Sequence, residues 1–111
     1  MSDAIVLAYI TTRDADEAQA IGRTLVEERW CACVNILPGM RSIYRWQGRI
    51  EQADEAVLIA KTRATLFPAL AARVRALHSY RTPCVIELRV DRGDEGYVRW
   101  LLAESGDAVP G

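Results

Sequence analysis

Residues 31–62, CACVNILPGMRSIYRWQGRIEQADEAVLIAKT, constrain the fold more than any other part of the chain. An apolar stretch over 31–37 is punctuated by Pro38-Gly39, resumes as an alternating strand over 42–46, turns at Gln47-Gly48 and runs back through Arg49 to Thr62. β-branched and aromatic residues between turn signals predict two strands joined as a hairpin. A two-residue turn at Gln47-Gly48 pairs Trp46 with Arg49, Arg45 with Ile50 and Tyr44 with Glu51, and sets Trp46 over Arg49 for a cation–π contact. Such an arm is too long to fold back over one small domain, and its unpaired edges invite a neighbouring subunit.

The chain has 111 residues, which predicts a single domain over 1–111. Half of the residues are hydrophobic, enough for a core. With 14 Lys+Arg against 15 Asp+Glu the net charge is −1, so the basic excess of a nucleic-acid footprint or a polybasic membrane contact is missing. Cys31, Cys33 and Cys84 are an odd set with no dense framework, as expected of a reducing compartment. The apolar run at 4–10 is too short for a signal core or a membrane span, and no basic flank precedes it. The expectation is a cytoplasmic protein with no membrane or nucleic-acid partner, and a polar tail at 105–111 that frays.

Residues 4–10 read as a strand. Asp14 and Glu17 have the spacing of a capping box, and the helix behind them places Ala18, Ile21 and Leu25 on one face and ends near Arg29. Gly22 beside that stripe permits close approach to a sheet. Thr65 is the expected cap of a second helix with Pro68 in its first turn and Leu66, Leu70, Val74 and Leu77 as its buried stripe. A strand over 84–90 directs Cys84, Ile86, Leu88 and Val90 one way and Glu87 and Arg89 the other. Gly93 opens a last helix with Tyr97, Trp100 and Leu101 as its apolar side. The order is β-α-β-β-α-β-α, an α+β, ferredoxin-like split βαβ with an extra C-terminal helix. Helices cover one face of such a sheet, yet residues 4–10 and 56–60 are apolar on both. No helix remains for the second face, so self-association is expected.

The order CACVNILPG, SIYRWQGRIE, VLIAKT and LHSYRTP resembles the CutA family of small divalent-cation-tolerance proteins over nearly the whole chain. The resemblance implies a homotrimer, sheets inward and helices outward, similar in build to the PII signalling proteins. It also implies an inter-subunit pocket at Tyr44, Trp46, Glu51, Lys61, His78 and Tyr80. The chain departs from the family pattern at His78-Ser79-Tyr80-Arg81, where His-Pro-Tyr and an acidic or amide residue are usual, and at Pro83-Cys84, where Pro-Glu is usual. Some members carry further ligands at the positions of Leu77 and Ile10.

Cys33, His78 and Cys84 are the candidate metal ligands, because thiolate and imidazole suit copper(I). Against this, C-x-C is not a zinc knuckle and free cysteines commonly serve as small buried apolar residues. A lone His at a helix end often serves the helix dipole. Tyr44 and Trp46 either pack the arm or line a cleft, and Lys61 either snorkels or contributes to that cleft. No nucleophile motif or phosphate loop is present, so no enzyme is expected. The leading reading is copper or other divalent-cation binding at subunit clefts. The alternatives are a PII-like sensor of a small anion using Lys61, Arg49 and Arg81, a stable trimeric scaffold for a partner protein, and an RNA-binding module, which the acidic pI of about 5.8 and the apolar Val57, Leu58 and Ile59 oppose.

Overall fold

The computed structural model describes residues 3–107. The terminal residues 1–2 and 108–111, with most of the tail expected to fray, lie outside the described residues. Four strands, β1 (Ile5–Thr12), β2 (Cys33–Trp46), β3 (Arg49–Arg63) and β4 (Val85–Arg89), form one antiparallel sheet in the order β2-β3-β1-β4. The helices are α1 (Ala15–Glu27), α2 (Phe67–Leu77) and α3 (Glu95–Glu104). This is the expected ferredoxin-like order with its added helix.

β1 and β3 pair from Ile5↔Arg63 to Thr12↔Ala56, and period-2 alternation sorts their side chains onto two faces. Val6, Ala8 and Ile10 face the helices with Leu58 and Ala60. Leu7, Tyr9, Val57, Ile59 and Lys61 occupy the opposite face. Against the helix side pack Ala18, Ile21 and Leu25 of α1 and Leu70 and Val74 of α2, all in one buried cluster. Each large aliphatic side chain buried there stabilises the fold by about 1.5–3 kcal/mol.

Asp14 caps α1 by accepting from Glu17 N–H at 2.8 Å, as its spacing predicts. Glu28 closes the helix, Arg29 adopts φ 66°, and Trp30 N–H returns to Leu25 O at 2.9 Å. That is the left-handed ending usually given to Gly. Arg29 bears its cost, about 1–2 kcal/mol, because its guanidinium bonds the carbonyls of Gly106 and Ala103 at 2.7 and 2.9 Å.

Thr65 is not the cap of α2. A 3₁₀ turn (Ala64–Leu66) leads straight into Phe67, no side chain caps α2, and the Thr65 hydroxyl is hydrogen-bonded to Asp3 instead. At the other end, Asp94 rather than Gly93 opens α3, accepting from Tyr97 N–H at 3.1 Å. Ser105 does not fray. It is 3% exposed, and its hydroxyl donates to Leu101 O at 2.8 Å. The expectation that no helix reaches the second face also needs correction. α3 lies at the Ile5–Arg63 end of the sheet, where Tyr97 accepts a hydrogen bond from Lys61 Nζ at 3.1 Å. The rest of that face stays open: Ile86 and Leu88, beside Tyr9 and Leu7, are 50% and 44% exposed.

Beyond Ala56, β3 has only β2 as a partner, so residues 40–55 form a two-stranded arm. The predicted pairs Trp46↔Arg49, Arg45↔Ile50 and Tyr44↔Glu51 are all present. Gln47 and Gly48 take φ 50° and 80°, the signature of a type I′ turn. The predicted interruption at Pro38-Gly39 is a β-bulge: the register slips between Leu37 and Met40, and Gly39 has φ 76°. The radius of gyration, 14.8 Å, exceeds the roughly 13 Å of a compact chain this long because the arm projects.

Gly22 sits so close to the sheet that a Cβ there would lie 3.0 Å from Val34 Cγ2 and 3.1 Å from Leu58 Cδ1. Gly22→Leu is expected to destabilise the chain by about 1–3 kcal/mol through overpacking, read as a lower midpoint in urea. Gly48→Val meets no neighbour within 4 Å, so its cost comes from the backbone alone. About 1–2 kcal/mol is expected, because a side chain with φ above zero crowds its own carbonyl.

Candidate functional site

The residues singled out in the sequence fall into two groups on the chain. Tyr44, Trp46 and Glu51 lie on the arm, with Tyr44 opposite Glu51. Toward the root of the arm, Tyr80 donates its hydroxyl proton to Glu55 Oε2 at 2.7 Å, and its ring stands 4.8 Å from that of His78. Burial, then the bond to Glu55, then the charges of Glu55 and Glu17 and the nearby Tyr44 push the Tyr80 phenol well above its usual range. Tyr80 is therefore a hydrogen-bond donor at every ordinary pH.

Lys61 belongs to the second group. It pairs with Cys33 and with Leu7, ten positions along β3 from Glu51. At about 3.3 Å per residue that is roughly 33 Å. Its ammonium bonds Tyr97 and lies 5.4 Å from the centre of that ring, so the cation–π contact found here joins Lys61 to Tyr97, not Arg49 to Trp46. The Tyr97 bond raises the Lys61 pKa against the opposing effect of burial, and the cation is held rather than snorkelling freely. One chain thus brings Tyr44, Glu51, His78 and Tyr80 to the arm side and leaves Lys61 at the far end.

The metal candidates are likewise divided. Cys33 flanks Lys61 on β2, and its thiol is directed at Val34 O at 3.7 Å. His78 and Cys84 both adjoin Thr11: His78 Nε2 lies 2.8 Å from Thr11 O, and Thr11 N–H donates to Cys84 O at 3.4 Å. A carbonyl only accepts, so Nε2 carries the proton; Nδ1 accepts from Tyr80 N–H at 3.0 Å. Both ring nitrogens are engaged, and a metal ion would have to displace one of these contacts. Among the described residues, no three His, Cys, Asp or Glu side chains of one chain converge on a point that could hold a metal. The donor set therefore does not fit a metal site within a single subunit. Cys31 is fully buried, and burial pushes its thiol up to about 12, so it serves as core.

Glu17 was legible as a capping residue and not as part of this region. It is 7% exposed; Oε1 accepts from Arg13 N–H and Oε2 from Ser79 N–H, both at 2.9 Å. Burial alone would raise its pKa, but the hydrogen bonds from Ser79 and Arg13 and the proximity of His78 together hold it below the ordinary value of 4.5. Ionised Glu17 therefore stabilises the fold fully above that ordinary value, and the contribution is lost as pH falls through the lower, folded one. Glu17→Gln cannot titrate. In melts taken from neutral pH down to about pH 3, the wild type is expected to lose more Tm than Glu17→Gln does.

Residues 6–104 match the family model of the CutA1 divalent ion tolerance protein. The chain is 44% identical over 100 residues to the divalent-cation tolerance protein CutA of Thermus thermophilus, covering 90% of this chain and 97% of that protein. It is 40% identical over 94 residues to human protein CutA, covering 85% of this chain but spanning only 52% of the human protein. Among solved structures, CutA from Xylella fastidiosa superposes with a TM-score of 0.90 at 43% identity, over 95% of this chain and 100% of that one. CutA1 from Oryza sativa gives 0.92 at 33% identity, over 96% of this chain and 98% of that one. An arm, a sheet with one open face and a match running from β1 through α3 make this chain a member of the CutA1 divalent ion tolerance family.

Proposed function

We propose that this protein acts as a homotrimer that binds a divalent or soft cation, chiefly copper, in clefts between subunits, and that it is not an enzyme. The observation that carries this reading is the open face of the sheet. Leu37, Ile86 and Leu88 are 54%, 50% and 44% exposed, on the face whose centre holds Leu7, Tyr9 and Ile59. A soluble chain rarely leaves so continuous an apolar surface in water. The arm adds Ile43 and Ile50, 65% and 61% exposed, and Trp46, 52% exposed. A two-stranded ribbon with that much apolar surface is marginal alone.

Assembly would also complete the cleft. Lys61 stands roughly 33 Å along β3 from Glu51, so a pocket holding Lys61 with Tyr44, Trp46, Glu51, His78 and Tyr80 requires a neighbouring subunit. The same holds for a metal site using Cys33 with Cys84 or His78. Of these the thiolates are the better donors, since both nitrogens of His78 are already engaged. All three cysteines are free thiols, which supports a reducing, cytoplasmic setting. Among the described residues no helix is long and apolar enough to cross a membrane.

Native mass spectrometry of the purified protein, with and without copper(I) under reducing conditions, tests both parts. Three chains per particle with metal bound per cleft is the expected result; a monomer at micromolar concentration would sink the proposal. Cys33→Ser or Cys84→Ser should weaken copper(I) binding, and the binding should fade at low pH as the donors take up protons. If both variants and His78→Ala bind like the wild type, the metal lies elsewhere. Trp46→Ala removes a side chain half exposed in one chain. It is expected to leave subunit secondary structure intact and to raise the trimer dissociation constant tenfold or more, about 1.4 kcal/mol. Unchanged dissociation would show that Trp46 does not meet a neighbour.

A further inference from the structure

Residues 78–84, between α2 and β4, belong to no helix or strand. A few bonds hold the start of this segment. His78 N–H closes α2 on Val74 O at 2.9 Å. The His78 ring bridges Thr11 O through Nε2–H and receives Tyr80 N–H on Nδ1. Tyr80 reaches the arm through Glu55. These contacts depend on one orientation of the imidazole, and Ser79, the residue between His78 and Tyr80, is tied down from α1: its N–H donates to Glu17 Oε2.

Capping does not require that bond. One carboxylate oxygen suffices to hold the chain entering the helix, and Oε1 does so on Arg13 N–H, one residue before the N-cap Asp14. The second oxygen acts on a residue 62 positions away in sequence. Nor does an ion pair explain why the buried carboxylate is kept there, since the Arg13 guanidinium pairs with Asp14 at 3.4 Å. A buried carboxylate served by N–H groups is favourable only while those donors are held in place, so the bond orders both partners. The other ionisable groups around it are the N-cap Asp14, Asp16 on α1, His78 and Tyr80 on the segment, and, beyond Tyr80, Glu55 of β3 and Tyr44 of β2.

We propose that Glu17 is a positioning residue for the cleft: through Ser79 it fixes residues 78–80 so that both nitrogens of His78 stay engaged and Tyr80 meets Glu55. The consequence for ligand binding rests on the cleft reading above, while the positioning itself rests on the geometry of one chain. Without the Glu17 carboxylate, Ser79 N–H turns to water, the imidazole is released from its single orientation, and Nδ1 becomes available to a soft metal ion.

Nitrogen-15 NMR of the full chain at neutral pH tests this. The wild-type His78 ring should show one protonated signal, Nε2, and one unprotonated signal, Nδ1. In Glu17→Ala the two signals should move toward each other as tautomers mix, and the Ser79 and Tyr80 amides should exchange faster by on the order of tenfold. Glu17→Gln keeps one carbonyl acceptor and should fall between; its spectrum decides the matter if Glu17→Ala does not fold. Glu28→Ala breaks the clasp in which Arg73 donates to both Glu28 oxygens at 2.8 and 2.9 Å, and so perturbs α1 and α2 without touching Ser79. It should leave the His78 signals in place. Unchanged His78 signals and amide exchange in the Glu17 variants would overturn the proposal, as would an equal change in Glu28→Ala. Copper(I) titration separates the two readings. Tighter copper binding in Glu17→Ala, with altered His78 signals, supports both; altered signals with unchanged copper affinity support the positioning role and overturn a metal role for His78.

Discussion

The antiparallel pairing of β1 with β3 is the constraint on which the other parts of the molecule depend. Its register, Ile5↔Arg63 through Thr12↔Ala56, decides which residues meet α1 and α2 and which do not. A slip of one residue in β1 against β3 would carry Ala8 and Ile10 away from the helices and put Leu7 and Tyr9 beneath them, while Leu58 and Ala60 kept their side. The small residues Ala8 and Ala60, directly opposed, let the helix layer come close, and Gly22 of α1 uses that space against Val34 and Leu58. The same ladder positions the functional region. Thr11, near the end of β1, offers its carbonyl to His78 and its N–H to Cys84, so both loop residues are referenced to the central strand.

Where β1 ends, β3 continues, and that difference in length makes the arm. The bulge at Pro38-Gly39 lets the long β2 follow it. Because β2 gains one residue there, Leu37 and Met40 keep the same face although they are three apart, and the Tyr9 hydroxyl lies 3.7 Å from Met40 Sδ. Without the extra residue, Ser42, Tyr44 and Trp46 would face away from the open side of the sheet. The bulge thus aligns the arm aromatics with the apolar face at the root, so that one continuous surface runs from Leu88 to Trp46. That surface carries Glu51 and Lys61 ten positions apart along β3.

Local chemistry made much of this legible in the sequence. The turn at Gln47-Gly48, the hairpin register, the Asp14 cap and the buried stripe of α1 each follow from spacing within a few residues, and all are present, although Glu17 returns to Arg13 N–H and not to the Asp14 N–H of a full capping box. What was not legible depends on contacts distant in sequence. Arg29 occupies a left-handed position where local rules look for Gly, since the compensating carbonyls of Ala103 and Gly106 lie more than seventy residues on. Thr65 looked like a cap because its type and position were right, but a 3₁₀ turn took the place of a capped start. The candidate site was legible only as residue types. Lys61 and His78 could be named, but not the Tyr97 and Thr11 that hold them, and no spacing rule joins Glu17 to Ser79.

The placement of α3 shows what such distant contacts do. Its terminal carbonyls would be unpaired at a free helix end, yet Arg63 donates to Leu102 O while Arg29 serves Ala103 and Gly106. One arginine ends β3 and the other follows α1, so sheet and helix layer together give α3 a defined seat. That seat brings Tyr97 over the second face, where it takes one hydrogen bond from Lys61 and stacks near Trp100, ring centres 5.6 Å apart. Lys61 is thereby held at a set position on a face that is otherwise largely apolar, beside the half-buried thiol of Cys33. Any surface that covers this face must leave the ammonium hydrated or supply it with an acceptor, since an unpaired charge is costly to bury. The cation therefore restricts what can cover Ile86 and Leu88, because Tyr97 meets only one of its three N–H donors.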